Sequence, residues 1–420
     1  MREAPLVELR FRYGRAEQAA EVADERLIAE IRMPSREGVA DAEAALDEAL
    51  AQPIGPALRD VIRRGDRVAL LTVDFTRPNP TQMLWPLVER IESLGARCEI
   101  VIGLGNHRPM TDAELDGFIG SHDVLQPGSR GEQWRLGQTS FGTPIEVAPF
   151  MREFDRKVVC GFIEPSYIAG FSGGRKMILP GVASYEAITR NHFLTLLQGR
   201  KLGVLDGNPV HRDMTEAARA VGVDFICDAV VNPDDSWARI VCGDLEAAHR
   251  EGAMLSREIY EHHVQQRADI VICTAGGWPY DVDMVQAKKT LVPALECVRE
   301  GGCVILLGEC EDGWGCATPW PELLESEEPA AIIALMRRRL AEGDLAWHWA
   351  PCSTGLLFSS VVHDRGARLI VVSELAEELR PTFADTAPDL ASALAMAEER
   401  LGPHASIIAL HDGRRVICRS

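Results

Sequence analysis

The chain has 420 residues, too many for one ordinary hydrophobic core, so at least two domains are expected, each long enough to bury a core of its own. A net charge of −19 excludes nucleic acid as a partner, because phosphate contacts need a basic surface, and it requires any anionic ligand to be held by a local basic site. With 46% hydrophobic residues, no apolar run near the ~20 residues that span a bilayer, and charges throughout MREAPLVELRFRYG where a signal peptide is apolar, the sequence predicts a cytoplasmic protein with no membrane partner.

In chain order, LVELRFRY (6–13) reads as a strand with a polar connection to residue 35, and VADAEAALDEALA (39–51) as an amphipathic helix. RVALLTV is a buried strand that ends at Asp74-Phe75-Thr76-Arg77-Pro78. Ligands of α/β folds collect at the carboxyl ends of parallel strands, which makes Asp74 and Arg77 candidates; a surface ion pair before a proline-bounded loop is the plainer alternative. A helix over 81–94 and a strand CEIVIGLG repeat the pattern and deliver Asn106, His107 and Arg108 on a glycine-opened loop, before a capped helix that begins near Thr111. Residues 122–143 are polar and glycine-rich and are expected on the surface. KVVCGFIE then forms another buried strand.

That strand runs into EPSYIAGFSGGRKMILPGVASYEAITRNH (164–192). Gly170, Gly173 and Gly174 permit positive φ and close backbone approach, and Ser172 adds a hydroxyl, so the loop reads as an anion nest beside Lys176. A tight connection explains the same residues. A nucleotide P-loop does not, because Met177 replaces the hydroxyl residue that must follow the lysine. Ser184 caps a helix that carries His192.

Beyond it come a Gly-Asn-Pro turn and helix, a strand DFICDAVVN, and a charged helical stretch over 245–266 that reads as the link between domains, with His262 and His263 on a solvated face. From Asp269 a βαβ unit begins: DIVICT, the loop Ala275–Asp281, a helix VDMVQAKKTLVPALECV and the strand CVILLGEC. Gln286 and Lys289, three apart, share a helical face. Further strand–helix alternation completes the domain. The predicted fold class is therefore α/β, two domains of largely parallel sheet with flanking helices, divided as 1–265 and 266–420. The eleven cysteines lack any CxxC pair and read as buried small side chains; Cys310 and Cys316 make a poor zinc site.

DFTR, GNHRP, PSYIAGFSGGRKMILPG, the Asn191-His192 pair, GNP and GGWPYDVDMVQAKK, in this order over most of the chain, resemble the nickel-dependent lactate racemase family. The resemblance implies a nickel pincer nucleotide (pyridinium-3-thioamide-5-thiocarboxylic acid mononucleotide) joined to Lys176 through a thioamide. It makes His192 a nickel ligand and Ser172, Gly173 and Gly174 the surrounding loop, with cofactor-synthesis proteins as partners. It further implies racemisation of a small anionic 2-hydroxy acid by hydride transfer to and from that cofactor. His107 would take the hydroxyl proton, Arg77, Gln286 and Lys289 would hold the carboxylate and ketone, and Asp74 would orient Arg77 or the cofactor. One position departs from the family pattern: Ser166, ten residues before Lys176, stands where the racemases carry a second catalytic histidine. The expected substrate is accordingly larger than lactate, such as a sugar acid. An oxidoreductase or dehydratase using the same cofactor, and a non-catalytic cofactor-binding protein, are the competing expectations.

Overall fold

The computed structural model describes residues 5–121, 123–195, 202–315, 329–342, 349–379 and 384–419. They form two compact units, Pro34–Ile259 and a second made of Met1–Met33 with Tyr260–Ser420. The fold is α/β as expected, with a six-stranded sheet in each unit. No helix among the described residues is long and apolar enough to cross a membrane.

In the unit Pro34–Ile259 the strands lie in the order Trp237–Gly243, Phe225–Val231, Arg156–Ile163, Arg67–Thr72, Arg97–Ile102, Val124–Leu125. All neighbours are parallel except the edge strand Trp237–Gly243, which runs antiparallel. The central strands are continuous apolar runs because helices cover both faces: Phe225–Val231 is buried at every residue. From Arg67–Thr72 the chain adds strands on one side through Arg97–Ile102, then returns to add Arg156–Ile163 on the other. The order therefore reverses between Arg67–Thr72 and Arg156–Ile163, and at such a point the loops leaving the two carboxyl ends diverge and open a crevice. Those loops carry Asp74 to Arg77 and Glu164 to Lys176.

The second unit holds an all-parallel sheet in the order Asp385–Thr386, Arg368–Val372, Val298–Leu307, Ala268–Thr274, Ile407–Leu410, Leu27–Ile31. Residues 1–33, which the sequence reading grouped with 34–265, belong here. Leu27–Ile31 pairs with Ile407–Leu410, and the strands Leu6–Tyr13 and Ala16–Ala23 form an antiparallel ribbon whose Leu9, Phe11, Tyr13 and Val22 pack on Ile270, Ile305 and Ile370. Only the first strand of that ribbon was legible; the second, AEQAAEVA, is too alanine-rich and polar to announce itself. The single helix expected over VDMVQAKKTLVPALECV is broken into Met284–Ala287, a 3₁₀ turn Lys288–Thr290 and Leu291–Cys297. Pro293 has no N–H to give the Lys289 carbonyl four residues back, which removes a helical hydrogen bond at the 3₁₀ turn and favours the break there.

Two further expectations need correction. The stretch Leu245–Gln266 does contain the boundary between the units, at Ile259/Tyr260, and His263 is exposed with His262 half-buried, but its helix, Ala247–Tyr260, is not solvated throughout: it buries His249, Ala253 and Ser256. Within 122–143, Thr139 and Thr143 are buried rather than on the surface, held by an aspartate described below. His122 and Cys316 lie outside the described residues.

Candidate active site

The loops at the carboxyl ends of the first unit's strands meet around a buried carboxylate. Asp74, only 4% exposed, accepts Thr76 N at 3.0 Å and Thr76 Oγ1 at 2.5 Å on one oxygen, and pairs through the other with His107 Nδ1 at 2.6 Å. Burial disfavours its charge, but His107, Arg77 and the Thr76 hydroxyl outweigh burial and hold its carboxyl well below the usual range. Asp74 thus orients the histidine, not primarily Arg77. With Nδ1 committed to Asp74, a proton exchanged with a substrate has to pass through the opposite ring nitrogen, Nε2. Arg77, half-buried, uses Nη1 on Thr76 O at 2.8 Å and makes no ion pair with any described residue, so its fork can accept a carboxylate.

The His107 loop is tied to the glycine-rich loop. Gly105 N donates to Gly181 O at 2.8 Å, and a Cβ at Gly103 would press on Met177 Sδ and Gly181 Cα. The glycine-rich loop itself is stapled from within. Arg175, 1% exposed, spreads its guanidinium over the carbonyls of Ala169 and Phe171, both at 2.9 Å, and of Ser172 and Gly173 at 3.2 and 3.3 Å; it also contacts His249 Nε2. Asp228 closes the other side by accepting Gly174 N at 2.8 Å.

The loop is therefore not an open anion nest. Gly174 N is taken by Asp228, Ser172 N donates to Glu164 O, and the Ser172 hydroxyl donates to Phe162 O while accepting Glu164 N, each at 2.8 Å. The glycines answer to protein neighbours: at Gly173, φ +78°, a Cβ would stand 2.7 Å from Asp228 Oδ2. What this frame presents is Lys176, on the short turn Gly174–Met177. Its Nζ makes no hydrogen bond or ion pair with any described residue. Burial, then the charges of Arg77 and Arg175, push its pKa down to about 7, against a weaker opposing pull from Glu164.

His192 stands on the helix Tyr185–Phe193, capped by Ser184, which accepts Ala187 N. Burial first, then the nearby Lys176, push its pKa down to about 3, so its imidazole is neutral at physiological pH. Ser166 is half-buried in a two-residue ladder with Gly170, and its hydroxyl accepts Ala169 N at 3.4 Å. In the second unit, Lys289 Nζ donates to Gln286 Oε1, as the shared helical face implied, while Asp283 caps the turn by accepting Gln286 N at 2.8 Å. Lys288, adjacent in sequence, is fully buried and donates to Ser353 Oγ and Thr354 Oγ1 at 2.6 and 2.7 Å.

Sequence reasoning missed Arg175, Asp228 and His249. Arg175 was visible only as a letter within the glycine-rich motif FSGGRK, Asp228 as one acid in an apolar strand, and His249 as part of a charged helix. The charged residue inside DFICDAVVN was the available signal, since an acid in a buried parallel strand needs a nearby donor.

Family models match the chain in two places: the lactate racemase N-terminal domain over residues 13–203 and the lactate racemase C-terminal domain over 263–418. The lactate racemase of Thermoanaerobacterium thermosaccharolyticum is 30% identical over 422 residues, covering 97% of this chain and 98% of that protein. The chain belongs to the lactate racemase family. Lactate racemase from Lactiplantibacillus plantarum is also 30% identical, over 90% of this chain and 91% of its own length. The solved lactate racemase apoprotein from T. thermosaccharolyticum superposes with a TM-score of 0.86 at 29% identity, covering 99% of this chain and all of that one. A Thermotoga maritima protein of solved structure, at 14% identity and a TM-score of 0.65, shares the fold.

Proposed function

We propose that this lactate racemase family member is a racemase or epimerase of a 2-hydroxy acid that works with a nickel pincer nucleotide joined to Lys176. One observation carries the reading: a lysine amine without a hydrogen-bond partner, about half neutral at pH 7, faces the Arg77 charge at the reversal point of the sheet. Such an amine is a nucleophile ready for acylation. The residues fit the group. Lys176 projects an amine with no partner among the described residues, and His192, whose pKa the nearby Lys176 helps to lower, would offer a neutral imidazole nitrogen to the metal. Bound there, the group supplies hydride acceptance and return at the substrate α-carbon.

The remaining steps belong to the chain. Arg77 binds the substrate carboxylate through its guanidinium fork. His107, with Nδ1 committed to Asp74, takes the 2-hydroxyl proton on Nε2 and gives it back when the alcohol re-forms; Asp74 stabilises the imidazolium in between. In the second unit, the Gln286–Lys289 pair is the candidate for holding the carboxylate or the developing alkoxide. Ser172, Gly173 and Gly174 act by fixing the backbone from which Lys176 projects. Ser166 cannot replace a second imidazole as a base, since a hydroxyl surrenders its proton far less readily. Its small side chain leaves room for a 2-hydroxy acid larger than lactate.

The test is production alongside cofactor-synthesis proteins, followed by intact mass and a panel of 2-hydroxy acids resolved by chiral chromatography. A mass above that of the sequence, lost in Lys176→Ala, and inversion of at least one acid are expected. An unmodified wild-type protein from a cofactor-competent host overturns the reading. A ketoacid released in stoichiometric amounts would instead mark an oxidoreductase.

A further inference from the structure

The helix that carries His192 buries the residue before it, Asn191, which is fully inaccessible. Its Nδ2 donates to Asp213 Oδ2 at 2.7 Å and to Val210 O at 3.3 Å, both on the helix Pro209–Val221. Asp213 is fully buried as well, and its carboxylate receives the hydroxyls of Thr139 and of Thr143, the latter at 2.8 Å. The Thr139 oxygen is already an acceptor from Phe141 N and Thr143 N, so its own proton is directed to Asp213. Every link has one polarity. A carbonyl and a carboxylate loaded with hydroxyl donors can only accept, so the Asn191 amide cannot be flipped without aiming its oxygen at two other oxygens. Its Oδ1 is thereby turned to His192 Nδ1, at 3.1 Å, and the Ile188 carbonyl also accepts from the ring.

We propose that Asn191 and Asp213 are positioning residues that hold the proton of His192 on Nδ1 and so offer Nε2 as the nitrogen that binds metal. The metal clause rests on the reading of His192 as the imidazole donor in the preceding section. An amide oxygen accepts only from a protonated nitrogen, and a neutral imidazole protonated on Nδ1 has its lone pair on Nε2. Groups that hold the far nitrogen of a metal-binding histidine fix both tautomer and ring orientation. Here the device is a four-residue chain anchored on two buried threonines, and without it a histidine in water favours the opposite tautomer, with the proton on Nε2.

The experiment uses the apoprotein with ¹⁵N-labelled histidine. Imidazole ¹H–¹⁵N correlation spectra at pH 7.5 report which ring nitrogen carries the proton, with His192 assigned by its loss in His192→Gln. Wild-type protein is expected to show one His192 tautomer, protonated on Nδ1. Asn191→Leu and Asp213→Leu leave the Ile188 carbonyl on the ring but remove the amide acceptor or its anchor, and should raise the Nε2-protonated share of His192 above that of wild type. A purely structural role would leave the tautomer unmoved in every folded variant, and that result overturns the proposal. A wild-type His192 protonated on Nε2 overturns it outright, even if Asp213→Leu does not fold. Unchanged nickel content in cofactor-loaded His192→Ala would remove the metal assignment alone, because the spectra are recorded without cofactor.

Discussion

Replacing Asp74 by asparagine changes one atom, and the hydrogen bonds around it dictate the outcome. One carboxylate oxygen accepts the Thr76 backbone N–H and hydroxyl; the other pairs with His107 Nδ1. A backbone N–H cannot become an acceptor, so the asparagine oxygen must stay with Thr76 and its NH₂ group must face His107. Nδ1 then has to accept, the ring proton moves to Nε2, and the nitrogen that should take the substrate proton is blocked. The opposite rotamer leaves a buried donor facing a donor, at a cost of about 1–3 kcal/mol, which favours the blocked form by about 5- to 150-fold. Loss of the carboxylate also removes a charge-assisted bond to the imidazolium, worth about twice a neutral one. Together these reach the ~10²- to 10⁴-fold typical of losing a positioned acid–base group. The assay is interconversion of the enantiomers of an accepted 2-hydroxy acid, with rates normalised to the modified fraction by intact mass, so that cofactor loading is separated from turnover. A rate within about threefold of wild type would refute the dyad as the proton-transfer unit.

Three other outcomes are expected. Lys176 is one of five lysines in the chain, and with its pKa near 7 it should react with an amine-selective electrophile in the apoprotein far ahead of ordinary lysines near ~10.4; peptide mass mapping should give a rate that is half-maximal near pH 7 and levels off above it, and a profile still rising beyond pH 9 would count against it. Burial raises Asp228 to about 6, above its usual value, so the folded state holds that proton more tightly than the unfolded chain: the contribution is full below pH ~4 and lost as pH rises through about 6, about 3 kcal/mol in all. Asp228→Asn should flatten the denaturant-measured stability profile between pH 4 and 7, and a slope identical to wild type would contradict this. Ser166→His should gain turnover of a small acid such as lactate and lose turnover of the larger native one; robust lactate racemisation by the wild type would show that the serine does not select for size.

The sequence by itself determined the alternation of strands and helices, because buried parallel strands are unbroken apolar runs and the helices between them announce their caps. It also displayed the residues whose types are rare in such loops: the lysine after a glycine pair, the histidine of GNHRP, and the arginine of DFTR. Tertiary structure alone decided what those residues answer to. That Asp74 serves His107 depends on two loops meeting across neighbouring strands, 33 positions apart. That the glycine-rich loop is a frame for Lys176, not a nest for phosphate, depends on Asp228 and Arg175 filling its hydrogen bonds from behind, one of them 54 positions away. Asn191, Asp213 and two threonines 70 and more positions upstream of Asp213 form one directed chain only after folding. Periodicity and spacing encode which face of an element is buried. They carry no record of which distant polar group a buried donor will find, and in the low-dielectric interior that pairing sets protonation, tautomer and reactivity.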